Sequence, residues 1–166
     1  MATNTLIQKL FASDETGVGE DSSLVSNRQQ IEKFRCSEAI TAGATVSLDL
    51  SQTSNGLRGL VVAEADSADC VAVGIYTGGE DALDAASGDF IDVIIKGIVE
   101  EALVDGATSE VDIGDALIIS TAGTLVNQRI NEGGAADFNQ RPAVAIAMEA
   151  VSADGGTARV YVISNF

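Results

Sequence analysis

From Lys33 onward, apolar and polar positions alternate over short runs, and turn-forming residues separate one run from the next. KFRCSE, ATVSLDL, RGLVVAE and CVAVGIY are β-branched or alternating stretches of strand length. Thr45 to Leu50 is the cleanest of them and places Val46, Leu48 and Leu50 on one face. Asn55-Gly56 marks a tight turn between two such runs. An acidic stretch, TGGEDALDAASGD, leaves room for one helical turn around Glu80 to Ala86. DFIDVIIKGIVEEALV reads as two strands or one long bent strand, with Gly97 free to form a bulge or corner.

The second half continues in this way. DALIIS and TLVN form a hairpin around Thr121-Ala122-Gly123, where Gly supplies a left-handed residue. NQRINEGGAADFNQR is a polar excursion. PAVAIAMEAV and TARVYVI close the chain as a second hairpin-like unit joined by SADGG. Ala and Met favour helix in the first of these, but the Gly-Gly turn and ARVYVI give it a strand partner. Pro142 stands at a strand start, where its missing N–H costs least. The pattern predicts about nine or ten short strands in one all-β barrel or sandwich-like domain. One phrase occurs twice, ITAGATVSLD from Ile40 and VDIGDALIIS from Val111, both apolar-x-x-Gly-x-x-apolar-x-apolar.

Residues 1–32 differ from this domain of residues 33–166. ASDETGVGEDSSLVSNRQQ has no sustained period, and alone it buries too little apolar surface to offset chain entropy. Ahead of it, Leu6, Ile7, Leu10 and Phe11 recur at helix-like spacing, an apolar cluster on an extended N-terminal arm. The two readings of that cluster are an anchor for another molecule and a terminal turn packed on its own domain.

Charge sharpens the division. Residues 1–35 carry four cations (Lys9, Arg28, Lys33, Arg35) against five carboxylates, a balance of −1, and the other 131 residues carry five against 20, or −15. A body of this sign repels phosphate backbones, so nucleic acid is not an expected partner. No run of about 18 apolar residues predicts a membrane helix. MATNTLIQKL lacks the basic and apolar regions of a signal peptide, which predicts synthesis in a cytoplasm. Cys36 and Cys70 match no metal or redox spacing and are expected to be reduced, buried thiols, although a disulfide in an oxidising medium stays open.

Chemistry finds little to use. The chain has no histidine, which removes Ser-His-Asp and Cys-His nucleophiles and the usual zinc sites. Gly17-Val18-Gly19 lacks the third glycine and the preceding strand of a dinucleotide loop, and no phosphate loop or Gly-x-Ser-x-Gly elbow occurs. Glu100 and Glu101 should point to opposite sides of one strand and cannot act as a pair. DETGVGED, DIGD and SADGG do not follow the calcium-loop pattern and read as Asp- and Gly-capped turns. The expectation is a protein that is not an enzyme and holds no cofactor or metal.

The order of parts nevertheless resembles a known family. Ile91 to Val99, then Val111-Asp112-Ile113-Gly114-Asp115-Ala116-Leu117, a strand–turn–strand ending at Gly123, and a closing hairpin are its elements. The closing hairpin carries Ala145, Ala147, Glu149 and Ala150, then Asp154, Gly156, Thr157, Arg159 and Val160. Together they resemble the head decoration (cement) proteins of tailed bacteriophages over about residues 36–166. The resemblance implies a structural virion protein, made in the host cytoplasm and placed on the outer surface of the capsid. Its implied partner is the major capsid protein, and its implied form is a homotrimer, for which the Ala-rich run Ala143 to Ala150 is a candidate close-packing face. Shell contact falls to Leu6, Ile7, Lys9, Leu10, Phe11, Arg28, Lys33 and Arg35. The competing reading is a sugar- or cell-surface-binding β module displayed on the virion, against which the scarcity of aromatics counts.

Overall fold

The computed structural model describes residues 29–52, 59–66, 72–78, 83–107, 110–128, 142–152 and 156–163. Among them are nine strands and no α-helix: β1 (Gln30–Cys36), β2 (Thr45–Leu48), β3 (Val61–Glu64), β4 (Ala72–Tyr76), β5 (Phe90–Val104), β6 (Ala116–Ile119), β7 (Leu125–Asn127), β8 (Ala145–Ala147) and β9 (Gly156–Val162). The all-β expectation holds. The barrel is, however, double. β1-β3-β2-β4-β5 closes on itself through β1–β5, and β5-β7-β6-β8-β9 closes through β5–β9. Two five-stranded rings therefore share one long strand. Closure leaves neither ring with a free edge.

The two rings are built alike. In each, the first and third strands are parallel (β1 with β3, β5 with β7) and the first and last are antiparallel (β1 with β5, β5 with β9). In each, an isolated bridge precedes the second strand, Ile40 with Ala85 and Val111 with Val151. The repeated phrase of the sequence occupies this place in both rings. Gly43 (φ 85°) and Gly114 (φ 92°) turn the chain into β2 and β6, and each turn is closed by an N–H···O bond of 3.1 Å, Ala44 to Thr41 and Asp115 to Asp112. A positive φ at the third residue is what makes glycine recur there.

β5 serves both rings because Gly97 lets it. Its first half pairs with β1 up to Lys96, its second half with β9 from Gly97, and Gly97 has φ 118°. This is the corner that the glycine predicts. A bulge follows, since the register with β9 shifts between Val99 and Ala102. It corrects the expectation for Glu100 and Glu101. Both side chains are exposed between buried Val99 and Ala102, because the extra residue breaks the alternation. β1 begins at Gln30, so Gln30, Ile31 and Glu32 pair with β5 although they precede position 33.

The rings pack wall against end. Phe34, Cys36, Val46, Val62, Ile91 and Val93 fill the first ring. Val99, Val104, Leu117, Leu125, Val160 and Val162 fill the second, and Ala65, Ile75 and Ile94 from the outer wall of the first ring join that second cluster. This is why Thr45 and Ser47, polar positions of an alternating strand, are buried. Leu50, which the alternation places on one face with Val46 and Leu48, is largely exposed, because β2 ends at Leu48 and the chain has passed beyond the ring. Ala145 and Ala147 face the core of their own ring, so they are not available as an intersubunit face.

The Thr121-Ala122-Gly123 turn forms as the sequence predicts, with Ala122 at φ 48° and Gly123 at φ 68°. It also ties the rings together. Gly123 N–H donates to Ala65 O and Gly123 O accepts from Thr45 N–H, both at 2.8 Å. The helical turn expected around Glu80 to Ala86 does not appear in its described part, where Ala85 is extended and bridged to Ile40. The Asn55-Gly56 turn, most of the Asn127 to Arg141 excursion, residues 153–155 of SADGG, and Cys70 lie outside the described residues.

Candidate attachment surface

Of the eight residues expected to meet a shell, Leu6, Ile7, Lys9, Leu10, Phe11 and Arg28 lie outside the described residues. Lys33 and Arg35 alternate on the outer side of β1, where they oppose Asp92 and Phe90 of β5. Lys33 Nζ meets Asp92 Oδ1 at 2.9 Å with both side chains well exposed. Such a pair contributes little to stability, about 0–1 kcal/mol.

Arg35 is exposed and borders a shallow recess with Cys36, Ser37, Gln52, Val61, Ser87 and Gly88. Its Nε donates to Gly88 O at 3.4 Å, a long and weak contact. Beside it stands Phe90, 70% exposed, an aromatic next to a guanidinium on an open strand face. Sequence reading missed Phe90, because a strand-forming Phe in an apolar run looks like core. The signal that finds it is the alternation: Ile91, Val93 and Ile95 point inward, which sends Phe90 and Asp92 out.

The titratable groups nearby serve architecture. Cys36 is a buried free thiol whose pKa is raised, first by burial and then by the charge of Asp89, so it stays protonated and unreactive. Burial also raises Tyr76, whose hydroxyl donates to Leu83 O at 2.8 Å. Asp49 is held down at about 2 by hydrogen bonds from Ser51 and Gln52, which cap the turn after β2. Asp115, in the DIGD phrase, is nearly fully buried. Its Oδ2 accepts from Asp112 N–H at 2.9 Å and from the Asn127 side-chain amide. That carboxylate caps a turn, as the Asp-Gly phrase predicts. Among the described residues no group of three or more Cys, Asp or Glu side chains is placed to hold a metal ion. Arg159 ties β9 to β5 through Glu100, on the exposed side of the bulge.

The fold is thus an all-β pair of five-stranded barrels sharing one strand. No family model matches the chain, and no curated protein matches it. Among solved structures it is similar to the head fiber gp8.5 N base of bacteriophage phi29. The TM-score is 0.49, with 14% identity, covering 81% of this chain and 94% of that one.

Proposed function

We propose that the chain is a structural virion protein that decorates the outside of a tailed-phage head and stabilises its shell, with the major capsid protein as partner and a homotrimer as its working form. The observation that carries this reading is the closing-hairpin motif, Ala145 to Val160, with the Gly-Asp turn at Gly114. These are the elements in which the sequence resembles head decoration proteins; of them Ala145 and Ala147 fall on β8, Gly156, Thr157, Arg159 and Val160 on β9, and Gly114 at the entry to β6.

The charge distribution supports the same role. The described residues carry four Lys and Arg against 15 Asp and Glu, which suits an outward-facing lobe kept soluble at high local density. The arm carries the near-neutral stretch and the apolar cluster Leu6, Ile7, Leu10 and Phe11. Burying such side chains contributes about 1.5–3 kcal/mol each before the cost of ordering the arm. Lys33, which pairs with Asp92 on the exposed side of β1, stands with Lys9, Arg28 and Arg35 as the shell-facing cations.

The test compares the full chain with one lacking residues 1–28, a cut that spares β1 and the Gln29 amide bond to Ile98 O. Circular dichroism should be unchanged, while pelleting with undecorated capsids should weaken by more than about tenfold, the scale set by losing one buried Leu or Phe. Binding of the full chain should also weaken with salt. A shortened chain that pellets with full affinity would show that the arm is not the anchor.

A further inference from the structure

The repeat within the chain exposes an unfilled contact. Strand registers set the equivalences: Thr45–Ile75–Ile94 runs across the outer wall of the first barrel, and Ala116–Ile146–Tyr161 runs across the second. The first wall is covered by the second barrel, with Ile75 0% and Ile94 5% exposed. The second wall is bare at the same places, with Ile146 38% and Tyr161 37% exposed.

The turn beside the wall shows the same difference. A Cβ added at Gly43 would lie 2.6 Å from Glu101 O, because β5 runs over that turn, and Leu103 N–H donates to Gly43 O at 2.9 Å. A Cβ added at the equivalent Gly114 would meet nothing within 4 Å, and the neighbouring Ile113 is 73% exposed.

The covering element also has an unused counterpart. In the second barrel the β6–β7 turn docks on the first wall through Gly123. In the first barrel the β2–β3 connection occupies that position: Asp49 N–H bonds Val61 O as Ser120 N–H bonds Thr124 O. Leu50 and Leu60 therefore stand where Thr121 and Gly123 stand. They are 74% and 55% exposed, an apolar rim where β2 ends and β3 begins.

We infer that copies of this chain join head to tail, the Leu50–Leu60 rim of one copy packing on the Ile113–Ile146–Tyr161 wall of the next. The occupant is a second copy because the chain already makes this wall-to-end contact once within itself, and each copy offers one unused half of either kind. Such a contact is heterologous, so it closes as a ring when the rotation permits. The homotrimer proposed above is one such ring, but the contact needs no capsid and stands apart from that reading.

The experiment uses sedimentation of the full chain over a range of micromolar concentrations, with Ile146→Ser on the wall and Leu60→Ser on the rim. Both positions are exposed, and circular dichroism checks that each variant folds. The intact chain should sediment as an oligomer that dissociates on dilution. Each variant alone should weaken association by more than about tenfold, the scale of leaving a polar group in an apolar contact. An equimolar mixture should form one-to-one dimers and nothing larger, since each variant keeps the half that the other lost. An intact chain that is monomeric throughout, variants that still assemble, or a mixture that stays monomeric would each overturn the inference. So would assembly that appears only after residues 1–28 are removed, because the chain's own arm would then be the occupant.

Discussion

Alanine at Gly74 is expected to destabilise the protein by more than about 3 kcal/mol, beyond the usual range for overpacking. The added Cβ would lie 2.3 Å from Ile94 O, 2.8 Å from Val93 Cγ1 and 2.9 Å from Ile94 C. Two of these atoms are backbone, and they belong to the β4–β5 pairing of the first barrel. Relief would require the ring to open. A matched control is Gly59→Ala, where φ is 86° but nothing lies within 4 Å of the new Cβ. There only the left-handed backbone is penalised, by about 1–2 kcal/mol. Urea unfolding of the two variants separates steric closure from backbone strain. Equal midpoints would show that the β4–β5 contact is looser than described.

The second large effect contrasts two equivalent isoleucines. Ile75→Ser should cost more than about 4 kcal/mol, because it leaves a cavity and a hydroxyl inside the cluster that joins the barrels. Ile146→Ser, the same position one ring later, should cost less than about 1 kcal/mol, since that side chain is partly exposed on the outer wall. Thermal unfolding of both at low concentration checks the pair. Similar losses would mean that the two walls are not in different surroundings and that the duplication has been misread.

How much of this was legible depended on the range of the interaction. The strands of β2, β6, β7, β8 and β9 are visible because alternation and turn residues are local signals, as at Thr45 to Leu48 and around Gly123. The repeated phrase at Ile40 and Val111 was visible too, yet its meaning was not. Its identity rests on a turn glycine and a few apolar positions, while the rings it belongs to are closed by parallel pairs, β1 with β3 and β5 with β7, that no short window contains. The sharing of β5 was hidden behind Gly97, which looks the same whether it separates two strands or bends one. The burial of the polar positions Thr45 and Ser47 was not legible, because the second barrel that covers them lies far along the chain. For the attachment surface, the alternation of Lys33 and Arg35 was legible, but the pairing of Lys33 with Asp92 needed the β1–β5 register.

The claim that this chain decorates a phage head is tested most directly by its occupancy on purified capsids. Undecorated heads titrated with the full chain, pelleted and quantified against the major capsid protein, should reach saturation at a fixed ratio. That ratio should be a whole number of oligomers per symmetry-related site, and decorated heads should survive heating that opens bare ones. Binding that never saturates, or saturation without any gain in shell stability, would contradict the account.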